Sequence, residues 1–226
     1  MKDKVLIIAA HPDDEILGCG GAAARLVKEG HEVYTLILGE GVTSRDEKRD
    51  RAKRKKDIDK LRSEMAAANK LIGITKVFTH KFPDNRFDTV PFLDIVKIVE
   101  KVKDGLKPDI IFTHFFNDLN IDHRITYKAA ITAARPFSHE TVREIYSFQS
   151  LSSTEWNYPA DFSPDIFFDI NSTLKLKLEA MKVYKSELRK YPHPRSLKAI
   201  EINAAYWGTH VGLIHADAFK SVRVTR

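Results

Sequence analysis

Cysteine is almost missing from this chain. Cys19 is the single one among 226 residues, so no intrachain disulfide can form and nothing calls for an oxidising compartment. Long apolar runs are missing as well. No stretch approaches the ~18 consecutive apolar residues that a membrane span needs. The run at residues 5–10 is too short for a signal h-region and leads into His11-Pro12-Asp13-Asp14-Glu15, where a cleavage site would want small residues. The expected location is therefore the cytoplasm. Neither sign of charge dominates: 37 Lys and Arg against 31 Asp and Glu leave +6. That is too little and too spread out to announce a nucleic-acid binder. No internal repeat and no low-complexity tract appears. A chain of this length buries a sizeable core without disulfides, and one domain over residues 1–226 is expected.

What is present is an alternation of strand and helix patterns. Residues 5–9 are a continuous branched apolar run, as in a buried parallel strand. After a glycine-rich turn, residues 22–29 read as a helix stopped by Gly30. Further strands are expected at 33–38, 76–79, 109–113 and 145–148, with helices at 57–72, 90–103 and 125–134. Residues 150–165 read as a structured loop, 167–170 as a strand, 174–188 as a long amphipathic helix and 211–224 as extended chain. Short links between alternating elements imply an α/β fold with a mostly parallel sheet covered on both faces, a Rossmann-like three-layer αβα arrangement.

The residues able to do chemistry follow strands. His11, Asp13 and Asp14 come after the first, His80 and Asp84 after the third, and His114, Asn120, Asp122 and His123 after the fourth. In an open parallel sheet, ligands bind outside the carboxyl ends of the strands where the strand order reverses. In the common 3-2-1-4-5 order the first and fourth strands are neighbours at that reversal, so the two His/Asp loops should face one another. Three His or carboxylate ligands with an open fourth position are what a catalytic zinc needs. His11 and Asp14 can both face inward, and His123 can supply the third ligand. Two histidines and one carboxylate suit iron(II) as well as zinc. Asp13 is then free to act as a base, because zinc lowers the pKa of a coordinated water to about 7.

Ala10-His11-Pro12-Asp13-Asp14-Glu15 at the end of a first strand resembles the signature of the LmbE/PIG-L family of zinc-dependent N-deacetylases. Asp122-His123 before a helix is similar to the family's second motif, His-any-Asp-His, with Asn120 standing in place of its first His. His193-Pro194-Arg195-Ser196 and Ala216-Asp217-Ala218-Phe219 resemble its C-terminal blocks, Asp217 standing where Glu is usual. The resemblance implies His11, Asp14 and His123 as zinc ligands and Asp13 as general base. It implies hydrolysis of the acetamide of an N-acetylglucosamine-type sugar, giving acetate and a free amine. An Arg on the second helix contacts the site in some members, and Arg62 is the nearest candidate here. Asn120 cannot ionise, but its NH₂ can donate to an oxyanion. Asp13 would then return the proton to the leaving nitrogen, with His114 as the alternative acid. Asp84, Arg86, Trp156 and His193 are candidates for substrate contact: the first two for hydroxyls or phosphate, Trp156 for a sugar face.

Three further readings compete. Residues 45–56 hold eight basic and three acidic side chains. They read either as a solvated surface segment or as a lid attracting an anionic substrate. Gly18-Cys19-Gly20-Gly21-Ala22-Ala23, with Glu40 about twenty residues on, formally matches a dinucleotide fingerprint. However, seven residues separate these glycines from the strand, so the glycines are expected to serve close helix packing. A nucleotide- or sugar-binding Rossmann-like protein without deacetylase activity is the remaining alternative. Nothing in the sequence decides between monomer and homo-oligomer.

Overall fold

The computed structural model describes residues 2–225. Its strands are β1 (Lys4–Ala9), β2 (Glu32–Gly39), β3 (Lys76–Phe82), β4 (Ile110–His114), β5 (Glu144–Phe148), β6 (Ile166–Asp169) and β7 (Ala216–Val224). All seven belong to one sheet in the order β3-β2-β1-β4-β5-β7-β6. The first five are parallel, and β7 runs antiparallel to both β5 and β6. The order reverses between β1 and β4, which lie side by side with Val5 opposite Ile110. This is the expected switch point.

The helices are α1 (Asp14–Lys28), α2 (Lys55–Ile72), α3 (Phe92–Leu106), α4 (Ile121–Ala133), α5 (Leu174–Val183) and α6 (Leu197–Thr209). Alternation along β1 divides them. Val5, Ile7 and Ala9 pack with residues of α1, α2 and α5, while Leu6, Ile8 and Ala10 pack with α3 and α4. Because β1 is buried on both sides, it needs apolar residues at every position. The three layers follow from that. No helix of the described residues is long and apolar enough to cross a membrane.

Several elements differ from the sequence reading, and the largest differences on the α1/α2/α5 side have a plain physical reason. Helix α1 begins at Asp14, not after the glycines, and runs through them with non-helical angles at Cys19. A Cβ on Gly18 would lie 2.2 Å from the Phe148 ring, and one on Gly21 would meet Ile170 and Asp217 at under 3 Å. The glycines thus let α1 press against β5 and β7. Asp217 accepts the Ala22 N–H at 2.9 Å just beyond the break, while Lys177 donates to its other oxygen at 2.6 Å. Helix α5 ends at Val183, because Tyr184 leaves helical angles and buries its side chain completely. Residues 184–196 then make an irregular excursion. Helix α6 was not anticipated; Ser196 starts it by accepting the Ala199 N–H at 3.1 Å.

Candidate active site

The crevice outside β1 and β4 is lined by the start of α1, the start of α4, the turn after β2, the turn after β3 and the 184–196 excursion. Asn120 caps α4, its Oδ1 accepting the Asp122 N–H at 2.8 Å. This cap starts the helix four residues earlier than the apolar pattern indicates and brings Asp122 and His123 into its first turn. Asp13 holds the corresponding place before α1, with φ of 110°, a left-handed conformation for a non-glycine residue. Its N–H donates to Glu15 Oε2 at 3.0 Å. Glu15 is in turn held by Asn69 Nδ2 at 2.8 Å and by the Tyr184 hydroxyl. Burial pushes the Glu15 carboxyl up to about 7 despite these donors.

His11, Asp14 and His123 converge. His11 Nδ1 lies 3.4 Å from Asp14 Oδ2, and His123 Nε2 lies 3.3 Å from the same oxygen. A tetrahedral ion with bonds of 2.0–2.1 Å has ligand-to-ligand edges of about 3.3–3.4 Å, so the two edges that meet at Asp14 already have that length, and the donor atoms of all three residues lie within 4.8 Å of one another. Each histidine's other ring nitrogen faces a carboxylate, as is usual behind a metal ligand, though the one on His123 is not aligned as a hydrogen bond. His11 Nε2 donates to Asp122 Oδ2 at 2.9 Å, and His123 Nδ1 faces Asp118 Oδ1 at 3.1 Å. Asp122 is anchored by the Phe87 N–H at 2.9 Å, and Asp118 accepts from Asn120 N and Ser153 Oγ. Burial pushes Asp14 upward, but His123 and His114 outweigh it and hold its carboxyl well below the usual range. Burial and the Asp14 charge push Asp13 well above that range, with Arg195 pulling the other way. A further grouping of His11, Asp84 and Asp122 shares His11 with the first.

The cavity above these groups encloses about 230 Å³, and Asp13, Asp84, Asn85, Asn120, Arg189 and Arg195 are among its walls. Asp84 reaches it with Oδ1 at 3.4 Å from His11 Nε2, its Oδ2 accepting from Ser44 N at 3.0 Å. Asn120 Nδ2 donates to Asn85 Oδ1 at 2.7 Å.

Other candidates lie elsewhere. His114 is fully buried beneath the site and is stacked on His123 at 4.0 Å. Its Nε2 accepts the Ala10 N–H at 2.9 Å, which places the ring proton on Nδ1, 3.0 Å from Ser150 Oγ. Both of its nitrogens are engaged within the protein, and burial pushes it down to about 3. Arg62 stays half-exposed on α2, and it is Leu61 that reaches the cavity. Arg86 donates to the Glu47 carbonyl at 2.8 Å, away from the cavity. Trp156 and His193 meet edge to face at 5.6 Å outside the cavity wall. His80 lies inside β3 against Phe82, not after the strand.

Six of the eight basic side chains of the segment, those of Arg45, Arg49, Arg51, Lys53, Arg54 and Lys55, face a carboxylate. Buried Glu40 accepts both Arg49 Nε at 2.7 Å and Arg49 Nη2 at 3.0 Å, and meets Arg51 Nε at 2.7 Å. Lys53 and Arg54 reach Asp46, Lys55 reaches Asp59, and Arg45 reaches Glu187. These pairs oppose an anion-attracting lid. They also remove Glu40 from any ribose-binding role, so the dinucleotide reading fails at both its glycines and its acid.

A mostly parallel sheet covered on both faces, with a His/Asp/His set at its switch point that could hold a metal ion, defines an α/β protein with a candidate metal centre. Residues 6–134 match the family model described as PIG-L: GlcNAc-PI de-N-acetylase. The chain belongs to that family, also called LmbE-like. It is 27% identical over 188 residues to the Escherichia coli protein named uncharacterized deacetylase YaiS, covering 80% of this chain and 90% of that one. Its fold matches N,N′-diacetylchitobiose deacetylase from Pyrococcus horikoshii with a TM-score of 0.79 at 21% identity, over 98% of this chain and 84% of that one. It also matches GalB, the 4-carboxy-2-hydroxymuconate hydratase of Pseudomonas putida, with a TM-score of 0.77 at 21% identity, over 100% and 99% of the two chains. The fold is therefore shared by proteins named for different reactions, and the site must carry the functional argument.

Proposed function

We propose that this protein is a metal-dependent amide hydrolase that removes the acetyl group from an N-acetylated amino sugar. The observation that carries the reading is that His11 Nδ1 and His123 Nε2 stand 3.4 and 3.3 Å from Asp14 Oδ2 beneath a polar cavity, the donors of all three residues lying within 4.8 Å of one another. Family membership and the relatives' names support the amide as the bond cut. Zinc is the proposed ion, and iron(II) suits the same donors. His11, Asp14 and His123 would hold such an ion, which would supply Lewis-acid polarisation of the amide carbonyl and a more acidic water.

The chain's own residues supply the rest. Arg195 Nη1 faces Asp13 Oδ2 at 3.2 Å, which leaves Oδ1 to accept a proton from the attacking water and return it to the departing nitrogen. Asn120 Nδ2 has a second hydrogen beyond the one given to Asn85, and this donates to the developing oxyanion. Asp84 and Asn85 offer partners to sugar hydroxyls. The cavity of about 230 Å³ falls below the usual ~300–1,000 Å³ range of drug-sized pockets, so one sugar ring is the expected occupant.

The test is acetate release from N-acetylglucosamine, its 1-phosphate and diacetylchitobiose, alongside elemental analysis of the same preparation. One ion per chain and acetate release are expected, with both lost in His11→Ala and His123→Ala. A fully metallated protein that binds these sugars yet releases no acetate would favour the non-catalytic binding alternative.

A further inference from the structure

The proposed base has a cation beside it, and that cation comes from the far end of the chain. Arg195 and Asp13 are 182 positions apart, and their contact closes the 184–196 excursion over the start of α1. The backbone of Arg195 is fixed by its own turn. Its N–H donates to His193 Nδ1 at 3.1 Å, its carbonyl accepts from Arg189 N at 3.3 Å, and the next residue caps α6. The guanidinium is shared. Nη1 lies 3.2 Å from Asp13 and 3.5 Å from Glu187 Oε2, while Glu187 Oε1 accepts from Arg45 Nη2 at 2.7 Å. Asp13, Arg195, Glu187 and Arg45 thus form a row of alternating charge that sums to zero.

Such a row resolves a conflict. A carboxylate that must accept a proton gains nothing from a cation that stabilises its ionised form, yet Asp13 stands next to Asp14 on a turn with little else to hold its side chain. Sharing Arg195 with Glu187 weakens its grip on Asp13 while retaining its direction. We propose that Arg195 is a positioning residue for Asp13, occupying Oδ2 so that Oδ1 presents to the reacting water, and that Glu187 and Arg45 hold Arg195 in register. This rests on the reading of Asp13 as the general base.

Misplacing a reacting group by about 1 Å costs on the order of 100-fold, so Arg195→Met is expected to lower kcat by roughly 10- to 100-fold. KM and metal content should change little, while the thermal midpoint falls, because Asp13 loses the cation beside a side chain only 5% exposed. Arg195→Lys, which keeps the charge but not the planar fork, should fall between the two, and added guanidinium should partly restore Arg195→Ala. The deciding comparison is Asp13→Asn against Asp13→Asn/Arg195→Met. If Arg195 acts only through Asp13, the double variant is no slower than the single one. A double variant slower by the full Arg195 factor, or Arg195→Met with the wild-type kcat, overturns the proposal. A metallated Asp13→Asn with near-wild-type kcat would instead remove the base reading itself. Should Arg195→Met not fold, Arg195→Lys and its double with Asp13→Asn decide by the same comparison.

Discussion

Asp217→Asn should destabilise the fold out of proportion to the one atom it changes. Asp217 and Lys177 form a pair in which each side chain is only 4% exposed, with Nζ and Oδ1 2.6 Å apart. The second oxygen accepts the Ala22 N–H where α1 resumes after its break. Asparagine can keep that hydrogen bond through its remaining oxygen, but it leaves the Lys177 ammonium buried without a counter-charge. Removing one member of a buried pair costs about 3–5 kcal/mol. For a chain of this size that is a fall in Tm of about 6 to 20 °C, at roughly 2–4 °C per kcal/mol. Lys177→Met alone should cost less, since the Asp217 charge keeps its backbone donor. Lys177→Met/Asp217→Asn should recover most of the Asp217→Asn loss, because no unpaired charge remains. Urea unfolding of the four proteins yields the coupling energy directly. A loss below about 1 kcal/mol in Asp217→Asn, or a double variant as unstable as the sum of the singles, would refute the pairing argument.

Gly18→Ala should destabilise by about 1–3 kcal/mol through overpacking against Phe148, measured by the same unfolding; an unchanged midpoint would contradict the close approach of α1 to β5. Asn120→Ala should lose about 1 kcal/mol of helix capping and up to about 10²–10³ in kcat if its amide donates to the oxyanion. Asn120→Ser separates the two effects by restoring the cap without the donor; equal kcat in Asn120→Ser and wild type would count against the donor role. Arg49→Gln and Arg54→Gln should leave KM and its salt dependence unchanged, since both guanidiniums face carboxylates; a KM rising steeply with salt only in the wild type would restore the anion-attracting lid.

The strands and the reversal between β1 and β4 were legible because branched apolar runs have one physical use in a doubly covered sheet. The position of His11 and Asp14 in the crevice was legible for the same reason, since they follow the end of such a run. The start of α4 was not, because four of the five residues from Asn120 to Arg124 are polar and its helical character comes from a cap, not from an apolar stripe. The end of α5 was hidden because the apolar spacing continues past Tyr184, whose side chain turns inward to Glu15. Arg195 stands in the sequence inside the short block His193-Pro194-Arg195-Ser196. Its meaning depends on a contact spanning 182 positions, which no local pattern records. Arg62 was nearer the motif in sequence but lies outside the cavity wall.

The central claim is that His11, Asp14 and His123 hold one divalent ion on which acetyl removal depends. Titration of zinc into chelator-treated protein, followed by acetate release from an N-acetylglucosamine substrate, tests it most directly. Activity should be absent without metal, rise linearly and level off at one equivalent per chain, and never appear in Asp14→Ala. Acetate release that persists in the metal-free protein, or that Asp14→Ala retains, would contradict the account.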